Sequence, residues 1–110
     1  MARLNAIKTF VTDNLARHAL SVADAAKSQR LSPRQVQRLF EGEGVTFSEF
    51  LQQERLKAVR DELTDPESER GIGDIAYDCG FGDISHFNRA FRSRFGCPPR
   101  EYRRRGALPA

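Results

Sequence analysis

Two short polar pairs recur in this chain of 110 residues, Gln37-Arg38 and Asn88-Arg89, each followed two residues later by phenylalanine. Arginine can donate two hydrogen bonds to guanine O6 and N7, and an amide side chain can pair with adenine N6 and N7. Such chemistry recognises a partner without making or breaking a bond. The groups that bond making would need are missing from the sequence. There is no Ser/His/Asp set and no phosphate-cradling glycine loop. Cys79 and Cys97 form no CxxC pair, and His18 and His86 lie at no spacing typical of a zinc finger. No catalytic residue, metal site or cofactor is therefore expected. The two thiols read as small, semi-buried side chains of a cytoplasmic protein.

Charge points the same way. The formal net charge is only +3, but from Arg89 onward seven arginines face a single acid, Glu101. Arginine supplies 15 of the 18 basic residues, and its planar fork suits phosphates and guanine edges better than lysine does. The start, MARLNAIKTF, is interrupted by charge and is no signal peptide, and no apolar run could cross a bilayer.

The elements that must position these pairs are written twice. SVADAAKSQRLSPRQVQRLFEGEG, from Ser21, matches GIGDIAYDCGFGDISHFNRAFRSRFG, from Gly71, about fifty residues later. Val22 matches Ile72, Asp24 matches Asp74 and Ala26 matches Ala76. One inserted residue then sets Gln37-Arg38 over Asn88-Arg89 and Phe40 over Phe91. One structural unit is used twice.

Each copy reads as helix, tight turn, helix. In the first, Ser21 and Asp24 form a reciprocal cap, Val22, Ala25 and Ala26 face inward, and the helix ends near Gln29. Leu31 anchors the turn, Ser32 caps the second helix and Pro33 opens it. Val36, Leu39 and Phe40 fall on one face at helical spacing. In the second copy Ile72, Ile75 and Ala76 face inward, Gly80-Phe81-Gly82 turns the chain, and Asp83 caps a helix whose inward face is Phe87, Ala90, Phe91 and Phe95. Gly71 is a poorer cap than serine or threonine, so the helix it opens should fray more readily. An amphipathic helix over residues 3–17 precedes the pair. Thr46 and Glu49 begin a long helix to about Leu63 with core positions Phe47, Phe50, Leu51, Leu56, Val59 and Leu63. A short last helix follows Pro98-Pro99, with fraying expected from Arg103.

The faces left over are the candidate readers. With the apolar stripe committed inward, helix 32–42 shows Arg34, Gln37 and Arg38, while the second copy shows Ile84, Ser85, His86, Asn88 and Arg89. Ile84 could pack on a thymine methyl. His86 could equally support the cap. Ser32 is a weaker candidate, for a phosphate. The long helix spans roughly 27 Å at about 1.5 Å per residue, against about 34 Å for one turn of duplex. The expectation is two recognition helices in adjacent major-groove segments.

These residues resemble the DNA-binding domain of the AraC/XylS family of bacterial transcription regulators, over about residues 5–104. SPRQVQRLF with GVTFSEFLQQERL looks like that family's first motif and connecting helix. IGDIAYDCGFGDISHFNRAFRSRFGCPPREYR looks like its C-terminal signature. The resemblance implies an all-α, homeodomain-like fold of about seven helices filling residues 1–110. Its helix-turn-helix units would lie at about 21–43 and 71–95, joined by a linker helix at about 46–63. It also implies that the eight candidate readers occupy the family's DNA-facing positions. Two departures stand out: Pro98 replaces the usual serine cap before Pro99, and Gly71 with Gly73 loosens the second unit. Family members usually add a sensor or dimerisation domain, so the chain reads either as a stand-alone member or, preferably, as an excised C-terminal domain.

The function expected is sequence-specific binding of a double-stranded DNA operator, with no membrane involved. Two alternatives are a protein-interaction module contacting RNA polymerase or a partner regulator, and the regulatory piece of a DNA-repair enzyme. The first unit is expected to specify more bases, and the second to contribute more through phosphate.

Overall fold

The computed structural model describes residues 2–106 and contains seven α-helices: α1 (Ala2–Asp13), α2 (Val22–Ser28), α3 (Pro33–Glu41), α4 (Phe47–Leu63), α5 (Ile72–Asp78), α6 (Ile84–Phe95) and α7 (Pro99–Gly106). No strand occurs among the described residues, so the fold is all-α as expected. The chain divides into two compact units, Met1–Glu54 and Arg55–Ala110, and the division falls inside α4.

Unit 1 packs α1, α2, α3 and the first half of α4 around Ile7, Val11, Ala25, Ala26, Val36 and Phe40, with Phe47 and Leu51 closing it. The rings of Phe40 and Phe47 meet edge to face at 5.8 Å, a favoured geometry for aromatic pairs. Three reciprocal caps fix where its helices begin. The Ser21 hydroxyl accepts the Asp24 amide while the Asp24 carboxylate accepts the Ser21 amide at 3.0 Å. Ser32 and Gln35 repeat this at α3, and Thr46 and Glu49 at α4. Each cap of this kind contributes about 1 kcal/mol.

The first helix is shorter than the 3–17 expected from its stripe. At Asn14 the ladder tightens, because its amide N–H donates to Val11 O and its side chain donates to Phe10 O at 2.7 Å. A side chain that satisfies a backbone carbonyl in this way competes with the helix, and turns follow to Leu20. Leu4, Ile7 and Val11 are buried as the stripe required, and Phe10 and Leu15 are partly covered.

Unit 2 packs the second half of α4 with α5, α6 and α7 around Leu56, Val59, Leu63, Ile75, Phe81, Phe87 and Phe91. Gly71 lends α5 no side-chain cap, as expected. The preceding segment is held from elsewhere. The Arg103 guanidinium donates to Arg70 O at 2.6 Å and to Ser68 O at 3.3 Å, and Arg70 in turn pairs with Glu62 and Asp78. Arg103 is thus an anchor, and α7 continues through Gly106, against the fraying expected from Arg103; residues 107–110, to which that expectation also extended, lie outside the described residues. The first of the three arginines in Arg103-Arg104-Arg105 faces a pair of carbonyls, which ties the helix to the segment before α5.

The two turns confirm the repeat in hydrogen bonds. Leu31 N–H donates to Ala26 O at 2.9 Å, and fifty residues later Phe81 N–H donates to Ala76 O at 3.0 Å. Before each donor the backbone enters positive φ. Gly80 stands there at φ 109° in the second turn, but Arg30 stands there at φ 56° in the first. Ala26 and Ala76, both almost fully buried, leave room for the crossing helix.

Candidate nucleic-acid interface

The outer face of α3 is set by what its inner face buries. Val36 and Phe40 are fully enclosed, so Arg34, Gln37 and Arg38 emerge opposite them, and all three are exposed. Their spacing of three and four residues places them side by side on one helical face. The cap holds the helix start rigidly beneath them. Gln35, which the sequence reading passed over, supplies the cap's second hydrogen bond, its side chain accepting Ser32 N–H at 2.8 Å. The Ser-x-x-Gln spacing was the signal for it. Ser32 is exposed, and its hydroxyl oxygen accepts Gln35 N–H.

On α6 the enclosed residues are Phe87, Ala90 and Phe91, and the opposite face carries Ser85, Asn88 and Arg89, all exposed. Ile84 opens the helix and is 49% exposed, a large apolar side chain facing water at the tip of a polar face. His86 is exposed but set apart. Its ring lies 6.4 Å from that of Phe81, and its amide donates to the Asp83 cap. That amide holds the Asp83 carboxyl below its ordinary value of 3.8, with the Ser85 amide and the charges of Arg89 and His86 adding to the effect against a desolvation penalty. The chain thus presents two separate constellations, one on each unit, each on the helix that follows a tight turn.

Among the described residues no group of three or more His, Cys, Asp or Glu side chains could hold a metal ion. Cys97 is buried and Cys79 half-buried, and burial raises the Cys79 thiol above its ordinary value, away from the thiolate that a nucleophile requires. No described helix is long and apolar enough to cross a membrane. Sequence reasoning missed Tyr77, which is 61% exposed on α5.

A family model described as a helix-turn-helix domain matches residues 25–105. The transcriptional activator RhrA of Rhizobium meliloti is 40% identical over 105 residues, which are 96% of this chain but 33% of that protein. The transcriptional activator RhaS of an Enterobacter species is 37% identical over 103 residues, 93% of this chain and 36% of its own length. The chain thus spans about a third of the length of these curated relatives. A crystal structure from Chromobacterium violaceum, a transcriptional regulator of the AraC-type DNA-binding-domain-containing proteins, superposes with a TM-score of 0.90. It is 30% identical, with 99% of this chain and 96% of that chain covered. With its paired turns, its two exposed polar helices and these likenesses together, the chain belongs to the AraC/XylS family of bacterial transcription regulators, as a sequence-specific double-stranded-DNA-binding domain.

Proposed function

We propose that the chain is the operator-reading C-terminal part of a longer regulator, with α3 and α6 entering adjacent major-groove segments. The observation that carries this reading is the repeat of one arrangement. Each unit sets an exposed polar face, an amide followed by an arginine, on a capped helix directly after a tight turn. In helix-turn-helix proteins that second helix lies in the major groove. Arg34, Gln37 and Arg38 would read bases for unit 1, and Ile84, Ser85, His86, Asn88 and Arg89 for unit 2. Ser32, whose hydroxyl proton is left over from capping, would donate to a phosphate.

The better-capped α3 favours unit 1 as the main source of sequence specificity, and the arginine-rich end of unit 2 favours phosphate binding there. The relatives' greater length supports a sensor or dimerisation domain elsewhere in the natural protein, and their description as activators supports RNA polymerase as a further partner. The site of action would be the cytoplasm, where bacterial DNA lies. Selection of bound duplexes from a random pool, followed by a footprint, tests the reading. The expected result is one motif with two blocks about one helical turn apart. A footprint limited to one groove segment would overturn the two-unit reading.

A further inference from the structure

A groove of about 460 Å³ lies within unit 2, lined by α6, the start of α7 and Ile72 of α5. Its charged side chains are Arg89, Arg92 and Arg100, and no acid lines it. All three arginines are exposed. The ion pairs Arg17–Asp24, Arg60–Asp61, Arg70–Glu62, Arg70–Asp78 and Arg105–Glu101 engage other arginines. Arg89 does feel the charge of Asp83, but that carboxylate is committed first to the His86 amide. Pro98, Ile72 and the largely buried Pro99 supply the apolar part of its lining.

Arg92 follows Asn88 by four residues and Arg89 by three, so it continues the outward face of α6 by one turn. The first copy has no counterpart. Phe40 matches Phe91, so the residue matching Arg92 is Glu41, an exposed acid that would repel a phosphate. A free inorganic anion would use the arginines and leave the apolar lining idle. A nucleic-acid strand uses both, because each phosphodiester is joined to a deoxyribose with an apolar face.

We propose that this groove seats one stretch of the DNA backbone, with Arg92 and Arg100 gripping a phosphodiester while Pro98 and Ile72 cover the adjoining sugar. The inference rests on α6 being a base-reading helix. The grip sets the depth and register of α6 and carries no sequence information itself. Arg92→Gln and Arg100→Gln in the full chain test it, by affinity for the selected operator and for a random duplex. Each variant should weaken both duplexes by the same factor, leaving their ratio unchanged. Between about 50 and 200 mM salt, the fall in affinity should shrink by about 3.5-fold for each phosphate no longer gripped, since binding scales with salt to a power of about 0.9 per phosphate.

A second arm replaces operator phosphates one at a time by neutral methylphosphonate. One replacement should cost the natural chain affinity and cost the Arg92→Gln, Arg100→Gln double variant nothing. Unchanged affinity and salt slope, a loss confined to the operator, or identical sensitive phosphates in both proteins would each overturn the proposal. If the natural chain shows no preference for any duplex, base reading by α6 fails, while the random-duplex salt slope still decides the groove.

Discussion

Exchanging the residues at the two tight turns should move stability in opposite directions. Arg30 holds φ 56°, where a residue with a Cβ costs about 1–2 kcal/mol relative to its preferred regions. Arg30→Gly removes that cost but adds about 0.5–1 kcal/mol of unfolded-chain freedom. The net is a gain of about 0.5–1 kcal/mol, or roughly 2–4 °C in melting temperature for a chain of this length. Gly80 is buried and holds φ 109°, beyond the left-handed well that a side chain tolerates. Gly80→Ala should cost about 1–3 kcal/mol. Urea unfolding measures the totals, and amide exchange at Leu31 and Phe81 localises them, since these N–H groups close the two turns. The Leu31 amide should exchange more slowly in Arg30→Gly, and the Phe81 amide faster in Gly80→Ala. A destabilised Arg30→Gly, or a Gly80→Ala as stable as the natural chain, would refute the reasoning from backbone angle.

Arg38→Ala and Arg89→Ala should each cost about 1–3 kcal/mol in operator binding and relax preference at one base position. Both side chains are exposed, so melting temperature should hold; an equal loss on random DNA would assign the arginine to phosphate. Arg103→Ala removes two hydrogen bonds to the segment before α5 and should destabilise unit 2 by about 1 kcal/mol, seen as faster exchange of the Ile75 amide that donates to Gly71 O. Asp24 and Asp83 both have carboxyl pKa values lowered by capping hydrogen bonds. Their stabilisation is therefore full above the ordinary value of 3.8 and is lost as pH falls through the lower folded values. An acid titration in which Asp83→Asn loses stability in parallel with the natural chain would count against a capping role for that charge.

Most of the fold was legible because its signals are local. Caps at Ser21, Ser32, Thr46 and Asp83 mark helix starts within one turn of sequence, and the stripes Val36/Phe40 and Phe87/Phe91 leave one outward face each. The candidate readers follow by elimination, which is why all eight turn out exposed. What escaped depends on partners distant in sequence. Arg103 bonds carbonyls more than thirty residues away, and nothing in Arg103-Arg104-Arg105 distinguishes the anchored arginine from its neighbours. The groove needs α5, α6 and α7 to converge before Arg92 and Arg100 line one space. The left-handed Arg30 escaped for another reason: only the comparison with Gly80 reveals that a glycine position is filled by a side chain.

The anchoring of α7 onto the segment before α5 also bears on the order in which the chain comes off the ribosome. Every residue of the first core, Leu4 through Leu51, is synthesised before the second core has more than its opening helix. Unit 1 can therefore close while unit 2 is still being made, in keeping with the tendency of N-terminal portions to fold first during synthesis. Unit 2 has no such early option. Its helix-turn-helix can be translated in full, yet the carbonyls of Ser68 and Arg70 wait for Arg103, which emerges 33 residues after Arg70. A nascent chain stalled short of α7 would carry one finished reader and one unfinished one.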